Sequence, residues 1–411
     1  MRPRLRKFRA ADPTGTAARH DANERDRQKQ RRNTGDPPGD RVPQTTALRA
    51  ALESIPRILL IRLRSLGDAV LTLPLVEALH AWRPALELDV LVEASYAAVF
   101  QGHPHIHEVL TLKPRRANRA EGWSRFRAAV EIRKRRYPAV LNLHGGSTSM
   151  LLTALSGAGL KIGQKHHRGS CLYNAPIPPS DEIWRRPSVH TAEHQISLMR
   201  WLDLPIAAEI AGLIPVRGDA RERVRERRHR EGISDYFLIQ PTATLATKQW
   251  SAAKFAALGD HLFKRHGGRI IYIAAPHEIQ VLEKVRTQSE ERHAYWSDLP
   301  LEDLFALIAE CRLFIGNDSG PMHAAAALKK PLVVVWGSSD FEVWHPWNAA
   351  YEAVRSNLPC MPCPGYACAA FGEPRCILDI TVEQVLEACE RMLARTGKDK
   401  PAPVDLEEGR K

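Results

Sequence analysis

Short apolar runs alternate with helical patterns along two stretches of this chain, residues 55–215 and 236–396. The apolar runs suit buried strands, and leucines three or four positions apart indicate the helices between them. The predicted strands are 57–61, 87–92, 109–112, 139–143, 236–240, 269–274, 313–315 and 331–336. Because no hairpin signals interrupt the alternation, we predict the α/β class, with parallel sheets covered by helices on both faces.

Two such stretches in one chain predict two domains with an interdomain cleft, a common place for ligands. The segment between them, 216–235, is dense in Arg and Glu and is interpreted as a linker or as an exposed helix with salt bridges. Residues 1–54 are poor in apolar residues and are predicted to be a disordered basic tail, with a second disordered tail at 397–411.

The net charge of +12 is concentrated at the amino-terminal end, where residues 1–50 contain 13 Lys and Arg against 6 Asp and Glu. Such a tail can contact nucleic acid or an anionic membrane surface, or it can be a solubilising tail without a partner. We expect no specific nucleic acid. No apolar run has the length of a membrane span and no signal peptide is apparent, so we expect a cytoplasmic protein.

The most informative motif follows the predicted strand 313–315, where a tight polar turn opens directly into a helix. Backbone N–H groups and the positive end of the helix dipole then point at one spot, which makes a seat for a phosphate or diphosphate. Ser319 is expected to cap this helix, and Pro321 suits its first turn. The predicted donor-binding residues of the turn are Asp318, Ser319, Gly320, Pro321, Met322 and His323.

Two further segments follow the first predicted strand of each stretch. One is Arg64, Ser65, Leu66, Gly67 and Asp68; the other is Pro241, Thr242, Ala243 and Thr244 with Lys248 and Trp250. In order and spacing, these segments and the 318–323 turn resemble the signatures of the lipopolysaccharide heptosyltransferases, glycosyltransferase family 9. The resemblance covers roughly residues 55–395. It implies a GT-B fold with the acceptor on the N-terminal domain and the nucleotide sugar on the C-terminal one.

The resemblance also implies an ADP-heptose donor, an anionic lipid-linked acceptor and transfer with inversion. Inversion requires one carboxylate base, and Asp68 is the candidate, with helix capping as the alternative. Lys248, Thr242 and Thr244 are expected to stabilise the leaving diphosphate. As alternatives, Lys248 is a surface lysine and His323 a capping or core histidine.

The loop of Arg64, Ser65 and Gly67 is expected on the acceptor side. Thr148 departs from the family pattern, since relatives usually carry Arg there. The basic segment 115–136 is either a face for the acceptor's phosphates and the inner membrane or a solvated helix face. No Asp-x-Asp motif occurs in the chain, so we predict catalysis that requires no divalent cation.

Four of the seven cysteines lie close together near the carboxyl end, at Cys360, Cys363, Cys368 and Cys376. The first pair has the spacing of a zinc knuckle, which suggests a structural zinc or other metal; free thiols or disulfides are the alternative. Two other functions stay open. One is a GT-B transferase with another nucleotide sugar, and the other is a non-catalytic binder of nucleotide sugars or nucleic acid.

Overall fold

The computed structural model describes residues 41–113, 119–167, 169–208, 210–363 and 365–397, without the side chains of 41–44 and 119–123. The chain divides into two units between Ala51 and Leu52. Most of the tails predicted at 1–54 and 397–411 lies outside the described residues. The disorder prediction is wrong for Arg41–Ser54, which form helix α1. Leu48 and Leu52, one turn apart and both buried, give this helix an apolar stripe that the polar average composition concealed.

The N-terminal lobe, as we name it, is a sheet of six parallel strands in the order β3-β2-β1-β4-β5-β6. Leu60 at the centre pairs with Val90 on one side and with Leu141 on the other. The strands are β1 (Arg57–Ile61), β2 (Glu87–Glu93), β3 (Glu108–Leu112), β4 (Ala139–Asn142), β5 (Leu160–Gln164) and β6 (Ala175–Ile177). The helices are α2 (Leu66–Val70), α3 (Leu73–Trp82), α4 (Arg119–Lys134), α5 (Ser147–Leu155), α6 (Ser180–Trp184) and α7 (Thr191–Trp201).

The C-terminal lobe also contains a sheet of six parallel strands, in the order β12-β11-β10-β7-β8-β9. Its strands are β7 (Tyr236–Gln240), β8 (Arg269–Ile273), β9 (Ala294–Trp296), β10 (Leu313–Asn317), β11 (Leu332–Trp336) and β12 (Tyr351–Arg355). Its helices are α8 (Gly218–Arg230), α9 (Ala252–His266), α10 (Ile279–Gln288), α11 (Leu301–Glu310), α12 (Gly320–Ala327), α13 (Phe341–Trp344), α14 (Arg375–Leu378) and α15 (Val382–Thr396).

Counted within its own lobe, each sheet has the Rossmann strand order 3-2-1-4-5-6. The central strands β7, β10 and β11 are buried along their whole length, which explains why their sequences are continuous apolar runs. The predicted α/β class with two parallel, helix-covered sheets is therefore confirmed. In such sheets, ligands bind at the carboxyl ends of the strands next to the point where the strand order reverses.

The segment 216–235, predicted as a linker or an exposed helix, contains helix α8. Its Ala220 and Val224 are buried, and its charged face is held by ion pairs. Arg223 Nη2 lies 2.6 Å from Asp303 Oδ1 on α11. None of the helices among the described residues combines the length and apolar character that crossing a bilayer requires.

Candidate active site

Two helix starts, one from each lobe, meet where the carboxyl ends of the central strands lie. Helix α2 follows β1, and helix α12 follows β10. A Cβ atom added at Gly67 would lie 2.8 Å from Cδ2 of His323, and one added at Gly320 would lie 2.8 Å from Cβ of Leu66. These separations are closer than carbon atoms normally approach, so the packing of α2 on α12 requires glycine at both positions. The structure thus brings the 64–68 segment and the 318–323 turn into contact.

On the donor side, Asp318 and Lys248 form a partly buried ion pair. Lys248 Nζ lies 2.7 Å from Asp318 Oδ2, and the Asp318 side chain is only 5% exposed. The Ser339 hydroxyl donates a second hydrogen bond to the same oxygen. Lys248 itself is 21% exposed at the end of a short 3-10 helix, Ala246–Lys248, and its ammonium group is therefore still within reach of a ligand.

The buried side-chain amide of Asn317 connects the loop 241–250 to the turn 318–323. Asn317 Oδ1 accepts from the backbone N–H of Trp250 at 3.1 Å, and Asn317 Nδ2 donates to the Pro241 carbonyl at 3.1 Å. Asn317 ends β10, and Trp250 lies two residues after Lys248. These bonds therefore hold the loop 241–250, which we call the lysine loop, against the turn that begins α12. The predicted proximity of the 241–250 and 318–323 motifs therefore has a direct cause.

Ser319 holds the N-cap position of α12 but does not cap it with its side chain. Its hydroxyl instead donates to Gln240 Oε1 at 2.7 Å, and Gln240 Nε2 donates to Thr242 Oγ1 at 2.6 Å. The predicted N-cap position of Ser319 is confirmed, whereas its hydroxyl bonds to the end of β7 and makes no capping hydrogen bond. The first N–H groups of α12 are therefore not bonded to this hydroxyl.

The remaining predicted donor residues differ in their exposure. Thr242 is buried, and its hydroxyl donates to Glu278 Oε2 at 2.8 Å. The same Glu278 oxygen accepts from the Ala275 N–H at 3.1 Å, so a carboxylate that sequence reasoning missed anchors this edge of the site. Thr244 is exposed, whereas the Met322 side chain is fully buried beneath the turn.

His323 is a buried ring at the junction of the lobes, 4% exposed, with its edge against Gly67. Burial, together with the nearby Lys248 cation, lowers its pKa to about 4, although Asp318 and Asp68 act in the opposite direction. Its Nδ1 has no hydrogen-bond partner within the described part of the chain. His323 therefore lies as a neutral ring between the two carboxylates and on the α2 side of its helix.

In the N-terminal lobe, Asp68 accepts three hydrogen bonds. Its Oδ2 accepts from the Ser65 N–H at 3.2 Å and the Ser65 hydroxyl at 3.0 Å, and its Oδ1 accepts from Arg62 Nη1 at 3.4 Å. The structure thus contains the helix-capping contact of the alternative interpretation, because Asp68 accepts from the N–H of the N-cap residue Ser65. Its side chain is 26% exposed, so a substrate hydroxyl can still approach it.

Arg62 is the cationic partner of Asp68, and it was not predicted. Its side chain is 6% exposed, and burial lowers its pKa while the charge of Asp68 acts in the opposite direction. The sequence signal for this ion pair was Arg62 itself, the single charged residue in the apolar run from Ile58 to Leu63. A buried Arg requires an anionic partner nearby.

The loop residues Arg64 and Ser65 are exposed, and Arg64 lines a pocket in the N-terminal lobe. Arg64, Lys113, Arg125 and His144 contribute to its lining. Thr148, where the family pattern has Arg, lies on the same wall. Three cationic side chains and one carboxylate, that of Glu93, thus surround the space next to the 64–68 loop. The predicted basic segment is described only in part, because 114–118 lie outside the described residues.

The four clustered cysteines share one loop without forming a closed metal site. Cys376 is buried on α14, and Cys360, Cys363 and Cys368 are half-buried. Burial raises the pKa of the Cys376 thiol, and the three other thiols nearby raise it further. No three of their sulfur atoms lie within 4.8 Å of one another in the described residues, and the metal predicted at this loop stays a prediction.

The cysteine loop is nevertheless attached to the lysine loop. The Thr247 hydroxyl donates to the Gly365 carbonyl, and the Ser338 hydroxyl donates to Thr247 Oγ1 at 2.9 Å. The backbone N–H of Cys363 donates to the Ser338 carbonyl at 3.0 Å. Thr247 is the residue before Lys248, which is predicted to stabilise the leaving diphosphate. The backbone at this lysine is therefore hydrogen-bonded to the cysteine loop.

Comparisons with known proteins agree with this geometry. Lipopolysaccharide heptosyltransferase 3 of Escherichia coli is 27% identical over 296 residues, which is 69% of this chain and 84% of that relative. A solved structure of E. coli ADP-heptose lps heptosyltransferase II is similar with a TM-score of 0.69 at 22% identity, over 83% of this chain and 99% of the other. E. coli heptosyltransferase WaaC with ADP gives a TM-score of 0.62 at 20% identity, over 82% of this chain and 99% of the other.

These structural similarities show the GT-B type of fold that the resemblance implied. The model of glycosyltransferase family 9 (heptosyltransferase) matches residues 125–371, more than half of the chain. This match includes the lysine loop, the 318–323 turn and most of the cysteine loop. The chain therefore belongs to glycosyltransferase family 9, the heptosyltransferase family, and is a glycosyltransferase.

Proposed function

We propose that this enzyme transfers a heptose from an ADP-heptose donor to a lipopolysaccharide-core acceptor, with inversion and with Asp68 as the base. The observation that carries the proposal is the contact of α2, which bears Asp68, with α12, which begins the donor turn. The names of the relatives support the donor and the acceptor, since they are lipopolysaccharide heptosyltransferases and one was solved with ADP.

The donor diphosphate would be held at the start of α12. There the first backbone N–H groups and the helix dipole provide fixed positive charge, and Lys248 adds a point charge. Asp318 holds the lysine in place, because their ion pair restricts the ammonium group to the mouth of the turn. These groups stabilise the charge that develops on the leaving ADP, a role that glycosyltransferases otherwise give to a metal ion.

The reaction is a single displacement. The acceptor hydroxyl oxygen attacks the anomeric carbon, the bond from that carbon to the β-phosphate oxygen breaks, and ADP leaves with the electron pair. Asp68 takes the proton of the attacking hydroxyl. Because attack and departure occur on opposite faces, the configuration inverts. The bonds from Ser65 and Arg62 position the carboxylate for this transfer.

The test is ADP release from ADP-heptose in the presence of a truncated core oligosaccharide. We expect Asp68→Asn to lower kcat by about 100- to 10,000-fold with an unchanged Kd for ADP. Asp298→Asn is the matched control, since Asp298 is an exposed carboxylate whose side chain is 71% exposed. Full turnover by Asp68→Asn would exclude it as the base, and no turnover by the unmodified chain would exclude heptose transfer.

Two further measurements separate the remaining proposals. UDP- and GDP-sugars tested in parallel identify a different nucleotide donor if either is turned over faster than ADP-heptose. Activity in excess chelator tests whether catalysis needs a divalent cation: we expect it to persist, and complete loss restored by magnesium would contradict this. A structural metal at the cysteine loop, a cytoplasmic location and contact with the inner membrane remain predictions; metal analysis of the purified protein tests the first.

A further inference from the structure

Four large apolar side chains are exposed on neighbouring elements of the N-terminal lobe and have no role in the proposed reaction. Phe126 on α4 is 59% exposed, and Leu151 and Leu155 on α5 are 49% and 44% exposed. Leu172, in the short 3-10 helix Ser170–Leu172 that follows β5, is 45% exposed. These four residues are half of the large apolar side chains that are exposed in the described part of the chain.

Phe126 lies on the side of α4 that faces α5. The two helices pack on each other, and Arg133 Nη1 would lie 3.3 Å from a Cβ atom added at Gly157, two residues after α5. Phe126 precedes Arg133 by seven residues, or about two helical turns, so both project from the same side of α4. Because Arg125 and Thr148 line one pocket, the amino-terminal parts of the two helices are also close together.

The two exposed leucines of α5 continue this surface. Leu151 and Leu155 are one helical turn apart and therefore project from the same face of the helix. Met150, next to Leu151, packs with its sulfur in the space that a Cβ atom at Gly169 would take. Gly169 immediately precedes the 3-10 helix that carries Leu172. The four residues therefore form one surface, which we call the apolar face.

The surroundings of the apolar face are strongly basic. Residues 124–172 contain nine Lys and Arg and a single acidic residue, Glu131. The Glu131 carboxylate already forms an ion pair with Arg135, at 2.9 Å. Three exposed cations of α4 form no ion pair with another described residue: Arg127, Arg133 and Lys134. The positive charge next to the apolar face is therefore available to an anionic partner.

An exposed apolar surface surrounded by cations fits the interface of an anionic bilayer. Large apolar side chains enter the boundary between headgroups and acyl chains, while Lys and Arg meet the lipid phosphates. A second copy of the chain is a poorer match, because a two-fold contact would place the same positive charge opposite itself. Nucleic acid is also a poorer match, since its protein interfaces are polar and leucines provide no stacking surface.

We propose that the apolar face is a docking surface for a membrane that carries anionic lipids. The four apolar side chains enter the interface, and the cations of α4 contact lipid phosphates. The proposal goes beyond the proposed function, because it does not depend on which sugar is transferred. Since Phe126 follows Arg125, the docked face holds the pocket that Arg64, Lys113 and Arg125 line close to the lipid headgroups.

The experiment measures binding of the full chain to vesicles by flotation, without any sugar or nucleotide. One set of vesicles contains phosphatidylglycerol and phosphatidylethanolamine, and the other contains phosphatidylcholine alone; we expect much stronger binding to the first. The double variant Phe126→Ser/Leu151→Ser should lower this affinity by about tenfold or more, although every charge is kept. Leu213→Ser is the matched control, since Leu213 is 53% exposed and lies between α7 and α8.

Charge is tested separately, because the basic residues 1–50 can also attract anionic vesicles. Arg127→Gln and Lys134→Gln should each lower the affinity by about fivefold at low salt. Arg221→Gln and Arg230→Gln, at exposed positions on α8, remove the same charge elsewhere and should have little effect. If the apolar and the α4 variants bind anionic vesicles as well as their controls do, the apolar face does not dock and the proposal is refuted.

A second copy of the chain as the occupant is tested by sedimentation equilibrium without vesicles. A dimer that the double variant converts to a monomer, together with absent vesicle binding, would also overturn the proposal. Retained ADP binding shows that a variant is folded, and Leu172→Ser repeats the test if the double variant fails this check. Turnover of a soluble core oligosaccharide should be unchanged in the double variant. Vesicle binding without any heptose transfer would refute the proposed function and retain the docking surface.

Discussion

The contact between α2 and α12 makes Gly320→Ala the most direct test of the site. The new methyl carbon would lie 2.8 Å from Cβ of Leu66 and 3.0 Å from both Cγ and Cδ2. The Leu66 Cβ is fixed to the backbone, so relief of the clash requires α2 to move. Asp68 is on the same short helix and would move with it.

The magnitude follows from two opposing effects. Overpacking costs about 1–3 kcal/mol, and the smaller entropy of the unfolded chain with alanine returns about 0.4–1 kcal/mol. The variant should therefore lose about 1–2 kcal/mol of unfolding free energy. A displacement of Asp68 by a fraction of an ångström to 1 Å should lower kcat by about 10- to 100-fold.

The assay is thermal unfolding together with ADP release from ADP-heptose. Gly218→Ala is the matched control, because a Cβ there meets nothing within 4 Å and the residue begins α8. We expect the control to be as stable as the unmodified chain or more so, with full activity. If Gly320→Ala behaves like the control in both Tm and kcat, the close packing of the two helices does not position the site.

The other predictions concern charge and pH. Lys248→Met should leave the buried Asp318 carboxylate without its cation, destabilise the chain by about 1–3 kcal/mol and weaken ADP binding in calorimetry, whereas Lys248→Arg should recover part of both. Arg62→Met should lower kcat in the ADP-release assay, because the Asp68 carboxylate loses the hydrogen bond from Arg62 that helps to hold it in place, and Arg62→Lys should recover part of the loss. His323 has a pKa of about 4 in the folded chain and an ordinary value of 6.5, so its contribution is full above pH 6.5 and is lost as the pH falls towards 4. The Tm of His323→Gln should therefore fall less steeply than that of the unmodified chain over this range, and equal slopes would contradict the burial argument.

Much of the fold could be predicted because its central strands are continuous apolar runs. β7, β10 and β11 are buried on both faces, so each can be recognised in the sequence as a short apolar run. β6 and β9 have only three residues each, and β12 alternates with Glu and Arg at a sheet edge, which explains why none of them was predicted. Local pattern carries little information about such short or edge strands.

The candidate site was predictable where a motif imposes local geometry. The turn that begins α12 and the lysine loop could be recognised because they follow buried strands. The pairing of Arg62 with Asp68 and the Ser319–Gln240 hydrogen bond could not be found in this way. The second of these joins segments far apart along the chain, and only the strand order brings those segments to one edge.

The hydrogen bonds that join Thr247, Ser338 and Cys363 couple the cysteine loop to the backbone next to Lys248. Lys248 is covalently next to Thr247, so a change in this loop would be expected to move the ammonium group that we propose contacts the donor diphosphate. Alkylation of Cys363 should therefore change the affinity for ADP through the position of Lys248, and an unchanged Kd would show that the two loops move independently.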